Sequence, residues 1–424
     1  MPFKRPNFQI LYELTSDGRC LFTTRIARLF AYGFLSVILV LYLAQAGLKE
    51  TQIGLLLTLT LIGDTIISLW ITTSADRIGR RRMLILGALL MVFAGVLFAL
   101  TRDFVLLLIA ATIGVISPSG YEVGPFLSIE QASILQIVPN EKRTQVFAWY
   151  NLVGSFTTAL GSLAGGTVVQ ALQGMGMAPL GSYRAVVIGY AAMGLILAML
   201  FTRLSSAVEV PRSADPPDPS RKPKTLFGLH RSRGVVFKLS ALFSLDAFAG
   251  GFVLQSIVAY WFSVRFNVEP ALLGSIFFGA NILAGVSALA AARVAAKIGL
   301  IRTMVFTHIP SNILLILVPL MPNLPLAITV LLMRFSISQM DVPTRQSYTM
   351  AVVEPDERSA ASGVTGIART TGSSLSPVVA GPLLGNPALL SIPFILSGSL
   401  KIVYDLLLYR SFRAIKPPEE TNKP

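Results

Sequence analysis

Twelve ionisable side chains sit inside stretches that are otherwise apolar. The acids are Asp64, Glu122, Glu130, Asp246, Asp341 and Asp405, and the bases are Arg25, Arg28, Arg334, Arg345, Arg369 and Lys401. Equal numbers of each sign point to pairing. A charge at bilayer depth costs at least about 2.5–3.5 kcal/mol on insertion scales, so such groups face a partner or a water-filled cavity. The chemistry open to them is proton exchange: burial tightens a carboxyl's hold on its proton, and an arginine moved against it loosens that hold. Residues for other chemistry are missing. The lone cysteine, Cys20, allows no internal disulfide, and the two histidines, His230 and His308, lie in different segments, so there is no ligand set for zinc or haem. No nucleophile–base pair stands out either. We expect no enzyme activity, no cofactor and no metal.

The stretches that hold these charges define the protein class. Of the 424 residues, 53% are hydrophobic and 13% charged, and the mean hydropathy is +0.68. Runs near twenty residues long recur throughout, each able to cross a hydrocarbon core of about 30 Å as a helix. They are continuous rather than alternating, which argues against a β-barrel. Twelve spans are read: about 22–46, 53–74, 83–101, 104–138, 144–171, 183–204, 236–264, 271–296, 303–321, 325–352, 360–384 and 389–410. Residues 1–20 show no basic-then-apolar leader. With the N-terminus inside, the inner connections hold 25 Lys and Arg and the outer ones four, Lys49, Arg102, Arg184 and Arg265. That asymmetry places both termini in the cytoplasm. It also explains the net charge of +14 as a topology signal, so no nucleic-acid partner is expected. The absence of Asn-x-Ser/Thr acceptors fits a bacterial inner membrane. The Pro-rich, charged stretch "EVPRSADPPDPSRKPK" marks a flexible linker. The expected organisation is an N-terminal tail over 1–21, six helices over 22–204, a linker over 205–235, six helices over 236–410 and a C-terminal tail over 411–424.

The two halves are parallel repeats. At an offset of 220 residues, Ser36 meets Ser256, Gly54 meets Gly274, and Ile78-Gly79 meets Ile298-Gly299. Farther on the offset is 216, where "PNEKR" from Pro139 meets "PDERS" from Pro355. The first half therefore carries four extra residues between roughly 83 and 138. Two six-helix halves of one orientation describe a major facilitator architecture. In "TTSADRIGRRRM", Asp76, Arg77, Gly79, Arg80, Arg81 and Arg82 match the loop between the second and third helices of that superfamily, with Thr72 where its first glycine stands. A second, weaker copy, "AAKIGLIRTM", keeps Lys297, Gly299 and Arg302. The chain thus resembles major facilitator transporters over about residues 20–411, nearest in pattern to the twelve-helix drug:proton antiporters. The resemblance implies an all-α polytopic membrane protein of two pseudo-symmetric six-helix bundles. It also implies that Asp76, Arg77, Gly79, Arg80 and Arg81 form a cytoplasmic gating loop. Gly154, Gly161 and Gly165 in helix five, and Gly363, Gly366, Gly372 and Gly381 in helix eleven, read as packing faces.

In such transporters the first and fourth helices of each half line the central cavity. At about 1.5 Å per residue, Glu130, Arg345 and Asp64 lie roughly 18–20 Å from the nearest cytoplasmic charge, and Asp246 roughly 12 Å. Two ion pairs of opposite polarity are expected: Arg25 or Arg28 with Glu130, and Asp246 with Arg345. Glu130 is the first candidate for a titrating carboxylate, then Asp64 and Glu122. Arg334, Asp341, Arg369, Tyr121 and Gln346 are candidates for a substrate cavity, and Lys401 with Asp405 reads as an i,i+4 pair. Helix four is unusual. Phe104 to Pro139 is 36 residues, roughly 54 Å if straight, and "GVISPSGYEVGPFLSIEQ" should break it and aim Glu122 and Glu130 inward. The function expected is alternating-access transport of a small solute by a monomer in the bilayer, as proton-coupled efflux. The alternatives are a uniporter or proton-coupled importer of an organic ion or metabolite and, from another class, a non-transporting receptor.

Overall fold

The computed structural model describes residues 13–122, 124–209, 229–354 and 357–415. Most of the proline-rich linker and both extreme termini lie outside the described residues. Among the described residues the chain is helical and contains no strand.

The helices are α1 Ser16–Ser36, α2 Leu39–Gln45, α3 Glu50–Ile78, α4 Arg80–Leu100, α5 Phe104–Ile113, α6 Phe126–Ile137, α7 Asn140–Gly174 and α8 Pro179–Thr202. They continue with α9 Arg233–Gly251, α10 Gln255–Phe266, α11 Pro270–Ile298, α12 Leu300–Leu317, α13 Leu324–Phe335, α14 Asp341–Ala351, α15 Arg358–Ser374, α16 Ser376–Leu384 and α17 Ile392–Phe412. Among the described residues, eight helical stretches are long and apolar enough to cross a membrane unaided, nine when the α1–α2 pair, bent by 45°, counts as one. The other three spans are each assembled from two pieces: α5 with α6, α13 with α14, and α15 with α16. Together they make the twelve-helix architecture.

Backbone conformation records the repeat. Gly79 (φ 122°) separates α3 from α4, and Gly299 (φ 89°), 220 residues later, separates α11 from α12. Positive φ at Gly47 is matched at the same offset by Asn267, the one described non-glycine residue with that conformation. Glycine and asparagine tolerate this region best, so the same tight turn is built twice.

The described residues fall into two compact units. The first is Met1–Arg212 with Gln255–Phe278; the second is Ser213–Leu254 with Gly279–Pro424. In the first unit, α1 lies directly on α7. A Cβ at Gly161 would meet the Phe30 carbonyl oxygen, and one at Gly165 the Phe34 carbonyl oxygen, so small residues set the helix separation there. In the second unit Gly372 of α15 is pressed in the same way against the Ser244 carbonyl of α9. Gly363 and Gly366 are different: nothing lies within 4 Å of a Cβ at either. Their expected packing role is corrected to an open face. The core of the second unit joins Phe243, Met304, Tyr348, Tyr404, Leu408 and Phe412.

The fourth span is unwound between α5 and α6, where Gly120 and Gly124 take positive φ. Three of its freed carbonyl groups find donors within the protein, as buried backbone groups generally do. The Tyr190 hydroxyl donates to the Val115 carbonyl at 2.6 Å and Ser117 Oγ to the Tyr121 carbonyl at 2.7 Å. The Ser256 N–H donates to the Pro118 carbonyl at 3.1 Å.

Candidate functional site

Each unit holds one cluster of buried charges. In the first, Arg28 is fully buried and forks onto the fully buried Glu130, with Nη2 to Oε2 at 2.7 Å and Nη1 to Oε1 at 2.8 Å. This bidentate geometry is the strong form of a guanidinium–carboxylate pair. Glu130 also accepts from Thr24 Oγ1 at 2.9 Å and from the Tyr150 hydroxyl. Arg28 Nε turns to Glu122 Oε1 at 2.8 Å, and Arg25 Nη1 meets Glu122 Oε2 at 3.0 Å. Arg25 Nε donates to the Tyr150 carbonyl at 2.7 Å, and its guanidinium lies 4.2 Å from the Tyr150 ring centroid. Two cations and two carboxylates therefore form one balanced network. α1 supplies both bases, one turn apart. The break in helix four supplies Glu122, and α6 supplies Glu130 two turns later. Of the two arginines considered as the partner of Glu130, Arg28 holds it, while Arg25 goes to Glu122.

Asp64 sits on α3 against the unwound stretch. Ser68 Oγ lies 3.4 Å from Oδ1. Among the described residues, no base forms an ion pair with it. Tyr121 is exposed.

In the second unit Asp246 on α9 is the hub. Its Oδ1 accepts from Lys401 Nζ at 2.6 Å, and its Oδ2 faces Arg345 Nη1 at 3.1 Å and Arg369 Nη1 at 3.9 Å. Arg345 Nη1 also meets Asp341 Oδ2 at 2.9 Å, one turn earlier on α14. Asp405 accepts from Asn312 Nδ2 at 3.1 Å and faces His308 Nδ1 at 2.9 Å. The expected i,i+4 pair is thus corrected: Lys401 reaches across to Asp246, and Asp405 turns to α12. Arg334 stacks 4.9 Å from the ring of Phe335, and Gln346 is exposed. Sequence reasoning missed Thr24, Tyr150, His308 and Asn312. His308 and Asn312 had a signal, a polar i,i+4 pair on one face of an apolar span.

At the loop 76–82, Arg80 Nε pairs with Asp76 at 2.8 Å. The carboxylate of Glu209 caps the start of α4, accepting the N–H of Arg80 at 2.7 Å and of Arg81 at 3.1 Å. Arg80 Nη1 reaches Gln136 Oε1 at 2.9 Å and the Val208 carbonyl at 3.2 Å. An acid on a helix N-terminus is favoured by the free N–H groups and the helix dipole. Gly79 allows the turn, and Arg77 is exposed. The second unit repeats the device: Glu357 accepts the N–H groups of His230, Arg231 (2.9 Å) and Ser232 (2.8 Å) just before α9. Burial raises the Glu357 pKa, but the Ser232 hydroxyl and these N–H groups outweigh it and hold the carboxyl down at about 2.

Twelve spans in two repeats, two of them broken at buried ion clusters, define a membrane transporter rather than an enzyme. The comparisons agree. The sequence pattern of the Major Facilitator Superfamily matches residues 21–423, and the chain belongs to that superfamily. A membrane protein of Saccharomyces cerevisiae, YJR124C, is 33% identical over 436 residues, which cover 97% of each chain. The purine ribonucleoside efflux pump NepI of Escherichia coli is 28% identical over 287 residues, 67% of this chain and 64% of NepI. Among solved structures, a bacterial homolog of the human lysosomal transporter Spinster superposes with a TM-score of 0.70 at 15% identity, covering 97% of this chain and 98% of its own. The nucleoside transporter NupG gives 0.69 at 13% identity over 94% and 100%. At such identities the structures share the fold.

Proposed function

We propose that the chain is a secondary active transporter that exports a small solute in exchange for protons. It works as a monomer, by rocking of its halves, 22–204 and 236–410, about the 205–235 linker. Both termini lie in the cytoplasm, and the loop 76–82 gates that side.

The observation that carries the proton part is the setting of Asp64. A carboxylate without a counter-ion at bilayer depth loses its charge most readily by taking up a proton. Glu130, first in line from the sequence, is gripped by Arg28, Thr24 and Tyr150 and acts as the fixed end of the network. Glu122 is shared by two arginines and is 16% exposed. Export, and purine ribonucleosides as the first substrates to try, are supported by the likeness to NepI.

The test uses purified protein in proteoliposomes, a radiolabelled purine ribonucleoside and an imposed pH gradient. Wild type should move the nucleoside against its gradient when protons flow the other way. Asp64→Asn should still exchange nucleoside but ignore the pH gradient. An Asp64→Asn protein driven by the gradient as well as wild type removes Asp64 from the mechanism.

A further inference from the structure

The cluster in the second unit contains a group that the proposed mechanism does not use. His308 on α12 is 5% exposed. Its Nδ1 lies 2.9 Å from Asp405 Oδ1. With Asp405 ionised and therefore only accepting, Nδ1 is the nitrogen that carries the hydrogen of that bond. The other ring nitrogen, Nε2, lies 4.0 Å from Asp246 Oδ1, beyond hydrogen-bond range. That oxygen already accepts from Lys401. Nε2 is therefore the open position of the ring.

Every helix packed around the ring contributes charge. α9 brings Asp246, α14 brings Asp341 and Arg345, α15 brings Arg369, and α17 brings Lys401 and Asp405. The Tyr404 ring stands edge-on, its centroid 6.1 Å from that of the imidazole. α13 carries Arg334, which lies over Phe335. In the paired set, three carboxylates meet three cations, so the cluster is balanced while the imidazole is neutral. One more proton gives an excess positive charge. The three carboxylates favour that imidazolium; burial, Lys401, Arg345 and Arg369 oppose it. The ring thus faces groups of both signs at close range.

We propose that His308, oriented by Asp405, is a second proton-binding site of this protein, located at Nε2 and separate from Asp64. The incoming proton adds to the Nε2 lone pair, while the Nδ1 hydrogen stays on its bond to Asp405. The charged ring then competes with Lys401 for Asp246 Oδ1. That competition links the proton to the contact between α9 and α17.

The chain has two histidines, which makes a direct test practical. In His230→Gln, nitrogen-15 histidine labelling leaves one imidazole to observe. The full-length protein in nanodiscs is titrated by NMR from about pH 5 to 9, the range in which histidine ordinarily changes charge. The signal should pass reversibly between neutral and charged forms. Asp405→Asn should move the midpoint down by about one pH unit or more, since an opposite charge is lost. Lys401→Met should move it up, and Asp64→Asn should leave it in place. A ring fixed in one protonation state across the range overturns the proposal. So does a midpoint that ignores both Asp405→Asn and Lys401→Met in folded protein. No substrate is needed, so failure of the nucleoside assay and failure of this titration are distinguishable.

Discussion

Glu130→Gln should destabilise the protein by an amount that a second substitution largely restores. Removing one partner of a buried ion pair costs about 3–5 kcal/mol, because it leaves a buried charge uncompensated. In Glu130→Gln, Arg28 keeps Glu122 at 2.8 Å, so the cost should sit at the low end, about 3 kcal/mol. In Arg28→Met, Glu130 keeps only the hydroxyls of Thr24 and Tyr150, and the cost should approach 5 kcal/mol. The double variant Arg28→Met with Glu130→Met leaves Arg25 and Glu122 as a balanced pair at 3.0 Å. Buried pairs replaced together by apolar residues are often neutral, so the double should fall within about 1–2 kcal/mol of wild type. Equilibrium unfolding of purified protein in mixed micelles with a denaturing detergent, at neutral pH, measures wild type, Glu130→Met, Arg28→Met and the double as the four corners of the cycle, with Glu130→Gln beside them. An additive double variant, or a Glu130→Gln cost below about 1 kcal/mol, would refute the reading of a closed, charge-balanced network.

Other outcomes follow from single contacts. The Glu357 carboxyl is held at about 2 against an ordinary 4.5, so its cap is fully effective above pH 4.5 and is lost as pH falls through about 2; wild type and Glu357→Gln should differ in thermal stability at pH 6 and converge near pH 2. Gly161→Val should cost about 1–3 kcal/mol or more by driving α1 from α7, whereas Gly366→Ala, facing open space, should unfold at the wild-type temperature or slightly above it. Glu209→Ala should cost about 1 kcal/mol by uncapping α4, and Glu209→Asp should recover part of that; equal stability of all three proteins would show that the cap is idle.

Much of this architecture was readable because the bilayer leaves the chain few options. Apolar run length marks the spans, and "SPSGYEVGP" announces the break in helix four. The break before Asp341 was not foreseen, since "SISQM" holds neither proline nor glycine. Charge balance and repeat order brought Arg25 or Arg28 to Glu130, without choosing between them, and Arg345 to Asp246. Lys401 was assigned to its own helix because the i,i+4 rule describes one helix surface and is blind to a neighbour's. Glu209 and Glu357 escaped notice for a related reason: each caps a helix start more than 120 residues away in sequence.

The unwound middle of helix four has a consequence for the order in which the protein is made. α5 and α6, at 10 and 12 residues, are about 15 and 18 Å long, and neither crosses a core of about 30 Å alone. Two of the groups that satisfy the backbone between them come from farther along the chain: the Tyr190 hydroxyl from α8 and the Ser256 N–H from α10. While the ribosome is still adding the first half, the Pro118 carbonyl lacks its final donor. The fourth span is among the last to be finished, and its closure waits on a helix translated more than a hundred residues later.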